Sequence, residues 1–313
     1  MYGISESNQP MILVSPRLRS TRWIAALAAT LIPLIASTTA HAGPPFQTDD
    51  PDPVEFCHFE MYAFELSDGT GKNAGGTALE VPAYEVNYGV VPNVQLHLVL
   101  PMTASFAPSG GPTNFGIGDS ELGAKVRFVK ETKRIPEIGI FPFFELPSGN
   151  ASKGLGVGAT WYRMPLWLQK SWGPSEKQWT SYGGGGEVVN SAAGYANGYK
   201  DTPFSGLLVQ RQLSKKLTLG TELFGHGAEG PAATSTRAST MLDLGGIYEF
   251  KPGFDLLFAA GRSIHGQPET YTYLSLYWTW GPGGAGDQGG PAQPSSATGS
   301  KMLSALTKMR LRQ

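Results

Sequence analysis

The chain has 313 residues, a formal net charge of −1, 16% charged residues and 41 Gly, where a soluble domain ordinarily carries about 25% charged residues and about 7% Gly. This balance lacks the basic excess of a nucleic-acid-binding protein, and the single Cys57 leaves no internal disulfide. With 15 Phe, 12 Tyr and 7 Trp, it suits an all-β protein with small inward residues and aromatic girdles.

Residues 1–42 read as a signal peptide. Arg17, Arg19 and Arg22 form a basic n-region, Trp23 to Ala36 an apolar core, and Ala40-His41-Ala42 a small-x-small cleavage signal before Gly43. The apolar core is short beside the roughly 20 residues of a spanning helix. Met11 offers an alternative initiator. Removing the peptide takes three Arg and one Glu, leaving 21 basic and 24 acidic residues, a net charge of −3. No later run is long and apolar enough for a transmembrane helix.

Residues 43–53, GPPFQTDDPDP, are too Pro-rich and acidic for a strand and read as an extended periplasmic lead-in. Asp49, Asp50 and Asp52 lack the spacing of a calcium loop and read as solvated acids. The first strand is expected over Val54 to Ser67, with Cys57 as a small apolar strand residue.

Leu79 to Phe106 gives two long strands about the turn Val91-Pro92-Asn93, where proline fixes φ and asparagine tolerates a positive one. Val94, Leu96, Leu98, Leu100 and Met102 alternate with Gln95, His97, Val99, Pro101 and Thr103. A period of two gives each strand an apolar face and a polar or small one. Arms of about ten residues suit a tilted strand crossing a bilayer.

The pattern repeats. Leu122, Ala124, Val126 and Phe128 oppose Glu121, Gly123, Lys125 and Arg127. Pro136 to Leu146 is a strand that Pro142 must interrupt, and Ala159 to Trp172 sets Tyr162, Met164, Leu166 and Leu168 against Trp161, Arg163, Trp167 and Gln169. Gly183 to Gly186 has no lysine at phosphate-loop spacing and reads as small residues at a crowded lumen or bend. Strands follow over Thr202 to Leu213, Lys216 to Gly225, Ala238 to Phe250, Phe254 to Ile264 and Tyr271 to Trp280. Residues 281–300 read as a flexible Gly/Pro/Ser linker, and 301–313 as a basic tail.

This makes twelve strands over residues 54–280. Long connections fall at 68–76, 107–117, 147–158, 191–201, 226–236 and 265–269, and short ones at 91–93, 131–135, 173–176, 214–215 and 251–253. Alternating lengths are the mark of an up-and-down antiparallel transmembrane β-barrel with short periplasmic turns. A soluble periplasmic sandwich needs the same alternation. Strand length, low charge and Tyr88, Trp172, Tyr248, Trp278 and Trp280 near strand ends favour the barrel.

With apolar faces outward, the inward residues are Glu60, Glu85, Asn87, Gln95, His97, Glu121, Lys125, Arg127, Arg163, Glu222, Asp243 and Glu249. They are the candidates for setting which solutes pass, or for filling the lumen as a salt-bridged plug. A hydrolase would need a histidine with a nucleophile or a water-activating carboxylate. His58, His97, His226 and His265 lie in no nucleophile elbow or metalloprotease motif. No cofactor or metal motif is present.

The stretches GPPFQTDDPDPVEFCHFE (43–60), EVNYGVVPNVQLHLVLPM (85–102) and GIGDSELGAKVRF (116–128) resemble a family of Gram-negative outer-membrane proteins, the transporters of the meta-pathway of phenol degradation. The resemblance spans about Gly43 to Trp280. It implies an outer-membrane β-barrel admitting small, often aromatic or hydrophobic, solutes. The expected partners are outer-membrane lipid, the barrel-assembly machinery and the solute. The segment after Trp280 departs from barrels that end on their last aromatic strand.

Overall fold

The computed structural model describes residues 45–70, 77–106, 113–174, 177–229 and 237–287. The stretches expected to be a signal peptide (1–42) and a basic tail (301–313) lie outside the described residues. The strands are β1 (Phe59–Thr70), β2 (Thr77–Val91), β3 (Val94–Phe106), β4 (Asn114–Ile117), β5 (Ser120–Val129), β6 (Glu137–Ile140), β7 (Phe143–Leu146) and β8 (Trp161–Arg163). They continue as β9 (Leu166–Trp172), β10 (Trp179–Asn190), β11 (Thr202–Ser214), β12 (Leu217–His226), β13 (Ser239–Lys251), β14 (Phe254–Gly266), β15 (Glu269–Gly281) and β16 (Gly284–Ala285). A short helix, α1 (Ala192–Ala196), sits in one long connection and is capped by the Ser191 hydroxyl.

Three of the wall strands are broken in two: β4 with β5, β6 with β7, and β8 with β9. Counted as single ribbons, they leave twelve antiparallel strands in sequence order. The wall closes where β1 pairs with β15, from Phe59↔Trp280 to Thr70↔Glu269. Closure leaves no unpaired edge, as a bilayer requires.

The alternation read from the sequence sets the two faces. Leu98, Leu100 and Leu244 are 38%, 52% and 63% exposed on the outside, while Gln95 and Asp243 are 2% and 0% exposed inside. An apolar outer face belongs against lipid tails. At the short-turn end, Tyr248, Phe250, Phe254 and Trp278 make a chain of ring contacts 5.4 to 5.6 Å apart, and Phe59 stacks between Tyr88 and Trp280. These rings form an interfacial girdle.

The breaks fall at local chemistry. Pro142 cannot donate to the ladder, and β6 and β7 end on either side of it. Gly184 has φ 153°, and a Cβ there would lie 2.0 Å from the Leu166 carbonyl oxygen. The glycine run therefore lets β10 pass close to the break between β8 and β9. Asn93 takes φ 66° in the tight turn between β2 and β3.

Five expectations need correction. The first strand begins at Phe59, and Cys57 lies before it in a turn with φ 64°, held by a bond from its N–H to the Gly89 carbonyl. Residues 114–117 of the expected loop pair with β3. The connection expected at 265–269 is only Gln267-Pro268, because β14 runs on to Gly266. Residues 284–285 fold back onto β15.

The largest correction concerns the acidic lead-in. Thr48 and Asp50 are fully buried inside the barrel, and Phe46 and Val54 are buried with them. The segment is not solvated, because the lumen holds charges that match its own.

Candidate functional site

The lead-in is bound by side chains from around the wall. The Lys125 ammonium donates to Asp49 at 3.0 Å and Asp50 at 3.1 Å. The Arg127 guanidinium donates to Asp52, to Glu137 at 3.2 Å and to Asn93 Oδ1 at 3.0 Å. The Glu222 carboxylate accepts the backbone N–H groups of Gln47 and Thr48, and Asp243 accepts the Gln47 amide at 3.2 Å. Gln95 Oε1 accepts the Val54 N–H at 2.9 Å, and the Tyr271 hydroxyl donates to the Pro45 carbonyl at 2.9 Å. Charge-assisted bonds of this kind are roughly twice as strong as neutral ones. Five of the predicted inward residues (Gln95, Lys125, Arg127, Glu222 and Asp243) thus hold a segment that the sequence alone placed outside.

The other predicted residues divide. Glu60 accepts hydroxyl bonds from Tyr277 at 2.8 Å and Tyr62 at 3.3 Å, toward the short turns. Glu85, Asn87, His97 and Glu121 form one chain. Asn87 donates to Glu85 at 2.7 Å, its Oδ1 lies 2.9 Å from His97 Nδ1, and His97 Nε2 lies 3.5 Å from Glu121. The His97 ring meets Phe141 edge-on at 4.9 Å. Arg163 lies inward on β8 against Phe204. Glu249 is half-buried near the short-turn end, opposite Asp255.

Above the lead-in lies a cavity of about 680 Å³. Its floor includes Phe46, Gln47 and Asp49, and its walls carry Phe64, Phe141, Phe143, Trp161 and Phe224 among the ionisable residues Glu85, His97, Glu121, Glu145 and Arg163. Exposed Lys200 and Glu229 line it toward the long connections. Glu145 accepts the Trp161 indole N–H at 3.1 Å. His226 Nε2 lies 3.0 Å from Glu269, and its Nδ1 lies 3.3 Å from Glu229. His58 lies outside this cavity beside Asp287, and His265 is exposed.

Phe143, Glu145, Phe224 and His226 are site residues that the polar-face reading missed. Phe143 pairs directly with Arg163 across the ladder, so strand parity carried that signal. Asp119 was also missed. Its carboxylate accepts the N–H groups of Gly149 and Val157 and ties a long connection to the wall. Among the described residues, no cluster of His, Cys, Asp and Glu is placed to hold a metal ion.

A closed twelve-strand wall with an apolar exterior and a charged, aromatic interior defines a transmembrane β-barrel of the outer-membrane type. No family model matches the chain, and no curated protein matches its sequence. Among solved structures, an outer membrane channel from Pseudomonas putida F1 is similar with a TM-score of 0.55 at 14% identity, over 76% of this chain and 99% of that one. The translocator domain of the autotransporter NalP from Neisseria meningitidis gives 0.46 at 14% identity, over 83% and 97% of the two chains. A KdgM porin gives 0.44 at 8% identity, over 70% and 98%. The likeness to the Pseudomonas channel is one of fold.

Proposed function

We propose that this protein is an outer-membrane channel for small organic solutes, closed at rest by its own residues 45–54. One observation carries the reading. The segment that fills the lumen is held by side-chain bonds and ion pairs, while the wall closes independently of it through β1 and β15. The segment can therefore shift without breaking the barrel. The short turns face the periplasm, so the cavity opens outward, and the barrel-assembly machinery inserts the wall. The aromatic cavity wall and the family resemblance both support aromatic or hydrophobic solutes.

The protein is read as a conduit rather than a hydrolase. Both ring nitrogens of His97 and of His226 already face acceptors, which supports a structural role for each.

Liposome swelling and planar-bilayer conductance on the refolded protein test the proposal. A variant with Asp49→Asn, Asp50→Asn and Asp52→Asn should conduct more than wild type. If wild type and variant stayed sealed to every solute and ion tried, the barrel would be a structural one with a permanent plug.

A further inference from the structure

Half-buried Arg163 differs from Lys125 and Arg127, the buried cations of the lumen. Lys125 and Arg127 each meet two carboxylates. Among the described residues, Arg163 has no ion pair and no side-chain hydrogen bond, and its Nε is buried with no acceptor. Its guanidinium carbon stands 4.1 Å from the Phe204 ring centre and 5.8 Å from that of Phe143. A guanidinium always carries its charge and has five donors and no acceptor. Ring faces offset only part of the cost of withdrawing it partly from water. The group also lines the cavity, so a molecule there has access to it.

Among the described residues, six acids line the cavity, Glu80 on β2 among them. Glu85 and Glu121 face His97, Glu145 takes the Trp161 N–H, Glu229 faces His226, and Asp49 faces Lys125. They do not reach Arg163, yet their charges remain around the cavity. One negative charge placed on the guanidinium gains a partner, while a second would face these carboxylates.

We propose that Arg163 is an anion subsite that takes the carboxylate of a small monoanionic organic acid through its two-pronged edge. The apolar body of that acid lies against Phe143, Trp161 and Phe224, which line the same cavity. This rests on the channel reading, since it names the class of solute that the cavity selects.

Calorimetric titration of the refolded full chain in detergent micelles tests it, with benzoate, neutral benzamide and dianionic phthalate as probes. Wild type should bind benzoate at least about tenfold tighter than either of the others, the scale of a charge-assisted pair. Arg163→Gln should lose about tenfold for benzoate while benzamide binding stays unchanged, and Arg163→Lys should fall between. Equal binding of benzoate and benzamide by wild type overturns the subsite, and so does a loss in Arg163→Gln that both probes share. Phthalate binding as tight as benzoate overturns the single-charge preference. Should Arg163→Gln fail to show the heat-modifiable gel mobility of a folded barrel, the three wild-type affinities and Arg163→Lys decide. Arabinose swelling separates the two readings. A protein that binds benzoate but stays sealed to arabinose even as the Asp49→Asn, Asp50→Asn, Asp52→Asn variant refutes the channel and keeps the subsite. A barrel that passes arabinose without preferring benzoate refutes the subsite alone.

Discussion

Toward the short turns the lumen is full; toward the long connections the same twelve strands surround a cavity of about 680 Å³. Both halves are lined by the same alternation, and both carry buried charge. In the full half the cations find Asp49, Asp50 and Asp52, supplied by a segment that is no part of the wall. In the hollow half Arg163 is left facing rings. The difference lies in what fills the barrel rather than in how its wall is made.

Removing a cation from the full half should break the contrast most strongly. Lys125→Ala leaves Asp49 and Asp50 without their ammonium, and breaking a buried pair costs about 3–5 kcal/mol. The lead-in should loosen, and single-channel conductance should rise toward that of an open barrel. Unchanged conductance would show that the segment is held by other bonds.

A charge on the outer wall tests the wall alone. Leu100→Arg, midway along β3, should cost about 2–4 kcal/mol in equilibrium unfolding from a bilayer. The folded fraction should keep wild-type conductance. A smaller change sharpens the role of the lead-in's backbone. Glu222→Gln weakens the acceptor of two N–H groups, and hydrogen bonds to a charged group are worth about 1.5–3 kcal/mol. Protease cleavage within residues 45–54 should become faster, with β-sheet content unchanged by circular dichroism.

The smallest effect lies in the long connection at 191–201. The Tyr195 hydroxyl donates to both oxygens of Asp201 at 2.6 Å, and this bond pushes its pKa up to about 12. An unperturbed tyrosine titrates near pH 10. Folding thus favours the protonated phenol, a contribution fully present below about pH 10 and lost as pH rises from 10 to 12. Difference absorbance between wild type and Asp201→Asn should show one phenolate forming at lower pH in the variant.

Much of the wall was legible in the sequence. A strand's side-chain period is two whatever the strand pairs with, so Leu96, Leu98 and Leu100 faced out and Gln95 and His97 faced in as read. Pro142 marked its own break, and Asn93 its own turn. The ends of strands were less legible. Cys57 could continue the alternation, but its N–H goes to the Gly89 carbonyl in a turn, a bond between residues far apart in the chain.

By itself, then, the sequence determined the wall, its two faces and its twelve strands, because these follow from local periodicity and turn chemistry. Tertiary structure alone decided what lies within. GPPFQTDDPDP reads as a polar, solvent-facing stretch, since proline and aspartate normally stay in water. Its residues 45–53 are withdrawn from water because Lys125 and Arg127, more than 70 residues away, supply the charges that replace water. No local pattern encodes that match, and none tells that Arg163 has no such partner among the described residues.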